Sequence, residues 1–320
     1  MLRAGVRVTL TALLLCDLLQ NQSPRLEAAS QMQGRMGIDV HSLNFLRLAH
    51  KKTRLGRVVT IGRQSLLVPK HSLRKILDLP QEQEYGDYCE RLLCEHFGAI
   101  SVDSIDNSDF ENATHIVDMN KPIDIQDRYD TVIDGGCLEH IYNVPQALRN
   151  FSQVCKAGGQ IIHMLPANNF CGHGFYQFSP ELFFSLYSQK NGYRETQIFL
   201  TDQFNENWWY EVKQPMNGKR VNVVSNREVL ILVRTVRMKS FSHDDVQQSD
   251  YVYKWENKGL SSGHRGRFFL KEKAKSLLIN TALFPIASSV YQKIVRPHQG
   301  LSNRHPSLTK RSVSDLLANT

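Results

Sequence analysis

Apolar positions between about residues 56 and 238 fall into short runs divided by glycines, prolines and polar stretches. Gly56-Arg57-Val58-Val59-Thr60-Ile61-Gly62 is β-branched and ends in glycine, which predicts a buried strand entering a turn. Residues 99–106, 115–118, 129–134 and 160–165 predict four more strands, the last stopped by Pro166, and 197–200 and 228–236 complete the set. Helical spacing appears between them, over 43–48, 72–77, 88–97, 145–156 and 181–188. Strands alternating with helices predict an α/β fold with a doubly wound, mostly parallel sheet. Ligands of such sheets bind beyond the carboxyl ends of the strands. Asp106, Asp118, Asp134 and the turn after Gly62 all fall at that edge.

This pattern divides the 320 residues into an N-terminal extension (1–35), a central domain (36–240) and a C-terminal extension (241–320). The net charge of +8 is unevenly spread. Residues 212–320 hold 19 Lys and Arg against 7 Asp and Glu, whereas residues 1–211 hold 20 against 24. A basic C-terminal segment fits an anionic membrane surface, a glycan or, less well, nucleic acid; it equally fits a solvated tail. The run 276–284 after Lys271-Glu272-Lys273-Ala274-Lys275 has the character of a helix lying on a membrane or packed on the domain. Beyond 298 the chain reads as disordered apart from a short helix near 313–317. The N-terminus pairs basic residues with an apolar run from Val8 to Leu15 that Asp17 interrupts. That run reads as a signal, an amphipathic helix or residues upstream of a start at Met36. Six cysteines without a CxxC pair or a paired spacing with histidine read as free thiols, which points to a cytoplasmic protein, peripheral to a membrane if the basic segment binds one. No metal site is expected from that pattern.

Two segments carry a family resemblance. Tyr129-Asp130-Thr131-Val132-Ile133-Asp134-Gly135-Gly136-Cys137-Leu138-Glu139-His140-Ile141 resembles the fourth-strand motif of class I (Rossmann-fold) S-adenosylmethionine-dependent methyltransferases. Val154-Cys155-Lys156-Ala157-Gly158-Gly159-Gln160-Ile161-Ile162 is similar to that family's turn into the fifth strand, with Ala157 in place of proline. The resemblance covers roughly residues 56–238 and implies a seven-stranded sheet with S-adenosylmethionine at its switch point. It implies Gly62 as the first loop glycine, Asp106 on the ribose hydroxyls, Asp118 beside the adenine, and Asp134, Gly135 and Gly136 near the methionine end. Methyl transfer from a sulfonium needs alignment and exclusion of water more than covalent help.

The glycine-rich loop departs from that family's pattern. Thr60 stands where an acidic residue would hold the methionine amine, and Arg63-Gln64-Ser65 follow the one surviving glycine. Gly62 and Asp106 are also far apart for a βαβ unit of roughly 30 residues, leaving room for an insertion near 79–87. Two readings follow. The loop is rebuilt, with Arg63 or Gln64 bonding the cofactor carboxylate, or cofactor binding is lost and the fold serves as a scaffold or regulatory protein. On the first reading the acceptor is a small molecule or glycan-type compound. His173 and Tyr176, on the glycine-containing loop after the fifth strand, are then the candidate catalytic or acceptor-contacting groups. A nicotinamide-binding GxGxxG loop, a P-loop and a nucleophile elbow are all missing.

Overall fold

The computed structural model describes residues 37–126, 128–257 and 300–318. The N-terminal apolar run and the 276–284 segment lie outside these residues. Among the described residues no helix is long and apolar enough to cross a membrane.

The chain opens with β1 (Gly37–Ile38) and α1 (Val40–Lys52), whose N-cap Asp39 accepts from Ser42 N. Then come β2 (Gly56–Ile61), β3 (Ser65–Leu66), α2 (Lys70–Leu77), α3 (Glu90–His96), β4 (Ala99–Asp106), β5 (His115–Ile116) and β6 (Tyr129–Asp134). A 3₁₀ turn (Leu138–His140) leads to α4 (Val144–Val154), β7 (Cys155–Asn168), α5 (Pro180–Leu186) and β8 (Tyr193–Asp202). The described chain ends with β9 (Trp208–Val212), β10 (Val229–Arg237), α6 (Ser249–Glu256), β11 (Leu308–Ser312) and α7 (Val313–Ala318).

Nine strands form the main sheet in the order β11-β9-β8-β10-β7-β6-β2-β4-β5. From β5 to β7 all neighbours are parallel; β10 then runs antiparallel between β7 and β8. From β2 the chain proceeds outward to β4 and β5 on one side, then returns to lay β6 and β7 on the other. The topological switch point is therefore between β2 and β6. This is a doubly wound, mostly parallel α/β sheet, with β9 and β11 added beyond seven strands.

The strand residues sort by parity into two cores. Val59, Val132, Ile161 and Ile231 face α4 and α5; Val58, Ile133, Ile162 and Leu232 face α1 and α3. Near-continuous apolar runs are what a sheet covered on both faces requires. On the α1 side, Phe45 meets Phe199 and Trp209 edge-on and those two rings are tilted to each other, with centroids 5.5–6.1 Å apart.

Part of the family-like motif proves to be a staple at the amino edge. Asp130 accepts from Arg57 N at 2.8 Å and from Lys156 Nζ at 3.0 Å, tying the starts of β2, β6 and β7 together. Gly56 has φ +62°, and a Cβ there would lie 2.7 Å from the Asp130 carboxylate. The Asp130, Lys156 and glycine pattern thus identifies the fold through its architecture, away from the ligand edge.

The C-terminal expectation needs correction. Residues 308–312 pair antiparallel with β9, Leu308 opposite Val212 and Ser312 opposite Trp208. The segment is an edge strand of the sheet, and the boundary placed at 240 leaves out part of the folded unit. Its polar sequence, Leu-Thr-Lys-Arg-Ser, suits an edge that faces water on one side. The short helix expected near 313–317 is α7.

Candidate functional site

The chain after Gly62 takes a course that explains the missing glycines. Instead of turning straight into a helix, it runs extended through β3, which pairs with β1 and bridges to Tyr88. It then makes α2 and returns, and the crossover helix α3 starts only at Glu90. The insertion is thus larger than 79–87. Gly62 itself keeps φ +70° and donates to Ile105 O at 2.8 Å.

Arg63 is committed to holding this excursion in place. Nε donates to Glu90 Oε1 at 2.7 Å, Nη1 to Glu111 O at 2.8 Å, and the guanidinium lies 3.9 Å from the Tyr88 ring centroid. Gln64 is fully buried between the ends of β2 and β6. Its Nε2 donates to Ile61 O at 2.7 Å, whereas Oε1 has no partner. A Cβ on Gly135 would lie 2.4 Å from that oxygen, so the glycine makes room for the glutamine. Gly136, at φ +93°, completes the turn.

The three aspartates differ. Asp106 ends β4, partly exposed, and accepts from Ser108 N at 3.2 Å. Asp118 accepts from both the backbone and side-chain nitrogens of Asn120 and pairs with Lys121 at 3.2 Å. The Asn120 bonds, with help from Lys121, hold its carboxyl below the usual range. Asp134 is wholly buried: Oδ1 accepts from Cys137 N and Leu138 N, and Oδ2 from His163 Nδ1 at 2.8 Å. His163 Nε2 then meets the Tyr187 hydroxyl at 2.7 Å. The side chains of Asp134 and Arg63 are therefore engaged within the protein, and any ligand contact at position 134 falls to the backbone.

The loops after β6 and β7 meet at the same edge. His173 Nε2 lies 3.3 Å from Glu139 Oε1, and the His140 and His173 rings stand edge-on with centroids 4.9 Å apart. Gly174 has φ +70°, and a Cβ there would collide with Glu139 O at 2.8 Å. Phe175 N donates to that oxygen at 2.7 Å, clamping one loop on the other. The hydrogen bond with Glu139 raises the His173 pKa, while burial lowers that of His140. On Glu139 burial outweighs the pairing and raises its pKa. Tyr176 donates its hydroxyl to Tyr142 O at 2.9 Å. Tyr142 and Phe175 beside it are exposed and meet edge-on at 6.2 Å.

Sequence reasoning placed His173, Tyr176 and the glycines at this edge, but passed over Glu139 as a site residue. The signal was present in Leu138-Glu139-His140, which was read as a fold motif alone. The His163 and Tyr187 partners of Asp134 also went unseen, since each sits inside an ordinary strand or helix.

No protein-family model and no curated protein matches the sequence. Among solved structures, the chain is similar to the N-methyltransferase NodS from Bradyrhizobium japonicum. Identity is 12% and the TM-score 0.34, over 61% of this chain and 92% of that one. It is also similar to the YcgJ protein from Bacillus subtilis, at 11% identity and TM-score 0.35, over 61% and 98%. A third is the 1,6-didemethyltoxoflavin-N1-methyltransferase of Burkholderia thailandensis, solved with 1,6-didemethyltoxoflavin and S-adenosylhomocysteine. Identity there is 12% and the TM-score 0.35, over 74% and 90%. These likenesses are distant.

Proposed function

We propose that the protein is an S-adenosylmethionine-dependent methyltransferase acting on a small-molecule or glycan-type acceptor. The observation that carries this reading is the convergence at the switch point. Gly62, the Gly135-Gly136 turn and the ends of β4 and β5 meet at one edge of a sheet with this strand order. Asp106 is suited to the ribose hydroxyls, because a carboxylate can accept from both. Asp118 flanks the adenine, and Gly62, Gly135 and Gly136 pass the methionine end as bare backbone. The unpartnered Gln64 Oε1 supports a role for Gln64 as acceptor for the cofactor's ammonium group, the part an acidic residue at position 60 would take. Arg63 supports the loop from behind. The acceptor lies toward His173, Tyr142, Phe175 and Tyr176, and the exposed rings of Tyr142 and Phe175 give a planar or apolar molecule a surface to rest on.

Titration calorimetry with S-adenosylmethionine and S-adenosylhomocysteine tests the reading. Saturable binding is expected, and no heat from either at millimolar ligand sinks the proposal. Asp106→Ala is expected to weaken binding about 10- to 100-fold, the effect of losing about 1.5–3 kcal/mol of charge-assisted hydrogen bonding.

A second reading, a methyltransferase fold kept as a scaffold or regulatory protein, draws support from the buried Gln64. Its side chain fills space between the ends of β2 and β6. On that reading Gln64→Ala leaves a protein that still binds neither compound. On the first, Gln64→Ala binds the cofactor more weakly than the parent.

A further inference from the structure

Glu139, His140 and His173 come from two loops far apart in sequence and offer three ligand atoms within 4.8 Å of one another. Glu139 is 1% exposed, and its Oε2 has no hydrogen-bond partner. A buried carboxylate oxygen without a partner is costly, by roughly 1–3 kcal/mol or more for a charged group. Were the pair with His173 purely structural, one oxygen would be left stranded and the exposed His140 ring would have no reason to stand against His173. A cation between the three resolves both. We infer that Glu139, His140 and His173 form a site for one divalent first-row transition-metal ion, with coordination positions left open.

The donor set decides the class of ion. Two imidazoles and one carboxylate suit zinc, iron, cobalt or manganese better than magnesium or calcium, which favour oxygen alone. Three protein ligands rather than four match sites that keep a place for water or substrate. An ion at about 2.1 Å from each ligand sets tetrahedral neighbours about 3.4 Å apart. The three groups therefore close by no more than about 1.4 Å, within reach of a rotation of the exposed His140 ring. The backbone is already in place, because Phe175 N and the left-handed Gly174 hold the His173 loop against Glu139 O. Sequence spacing missed this site because no two histidines or cysteines in it follow a zinc pattern. An ion here acidifies a water or hydroxyl bound to it, supplying the function otherwise asked of a histidine base.

The site is tested on the full chain, purified without a histidine tag and stripped with chelator. Cobalt(II) is expected to bind with ligand-field absorption and a stoichiometry of one, and zinc(II) is expected to displace it. His140→Ala and His173→Ala are each expected to weaken cobalt binding at least about 10-fold, and Glu139→Gln likewise. His71→Ala, an exposed histidine on α2, keeps the parent affinity. His140→Ala is the decisive variant: it lies at the surface and leaves the Glu139–His173 pair intact, so a structural ion pair alone predicts no change. Absence of cobalt and zinc binding at millimolar metal overturns the inference. So does undiminished binding in both His140→Ala and His173→Ala. Neither measurement needs the cofactor, so failure here is separate from failure of the methyltransferase reading.

Discussion

Two histidine–carboxylate pairs join the same two parts of the chain, one through strands β6 and β7 and one through the loops that follow them, and they differ in completeness. Asp134 and His163 have every polar atom engaged: two backbone N–H groups, each other and the Tyr187 hydroxyl. Rings of Phe151, Phe183 and Tyr187 surround His163 with centroids 5.2–5.7 Å away. Glu139 and His173 meet at a longer 3.3 Å and leave Oε2 unanswered. Saturation marks a pair that serves the fold; deficit marks one that awaits something else.

That contrast yields a graded set of expectations. Asp134→Ala strands a buried histidine and two backbone donors at once. Denaturant unfolding should show a loss of about 3–5 kcal/mol, the range for breaking a buried pair. His243 extends the comparison to a histidine whose hydrogen bonds go to hydroxyls, Tyr193 Oη at 2.7 Å and Ser152 Oγ at 3.2 Å, with Asp244 acting on it only through its charge. Burial, with Arg149 nearby, pushes its pKa from 6.5 down to about 4. As pH falls, the unfolded chain takes up this proton first. The stabilisation is therefore present above about 6.5 and is lost on the way down to about 4. The full shift corresponds to about 3 kcal/mol, and partial exposure brings it to about 2. In His243→Phe the stability measured across that window should lose this slope; an unchanged slope would assign it to other groups.

Tyr187→Phe removes only the outer partner of His163, and thermal unfolding should register about 1–2 kcal/mol. The smallest effect belongs to the incomplete pair. Glu139→Gln should shift metal-free stability by no more than about 0.5 kcal/mol in either direction, because relief of the unpartnered charge offsets the loss of the 3.3 Å pair with His173. A loss as large as that of Asp134→Ala would erase the distinction between the pairs.

Both carboxylates sit in one stretch of sequence, five residues apart, and Asp134 alone takes two local backbone donors, Cys137 N and Leu138 N. The rest of their difference is made by His163, which reaches Asp134 through tertiary packing with Tyr187 behind it. The central strands were legible because a sheet covered on both faces demands β-branched runs, as in Val58-Val59 and Ile161-Ile162. The edge strands were not. Lys310 and Arg311 make β11 read as a solvated tail, although Arg311 pairs with Glu211 of β9 and Lys310 lies over the Trp208 ring. Likewise, β3 is only two residues long, and its role in diverting the first loop depends on pairing with β1.

That late edge strand bears on how the chain is made. During synthesis β9 emerges well before its neighbour β11, with β10 and α6 between them. Until residues 308–312 leave the ribosome, the outer side of β9 is an unpaired ladder bearing two tryptophans and a tyrosine. Such an edge invites pairing with other nascent chains. The polar C-terminal strand is thus a built-in cover, and the interval before it arrives is when this protein most depends on cellular help to stay out of aggregates.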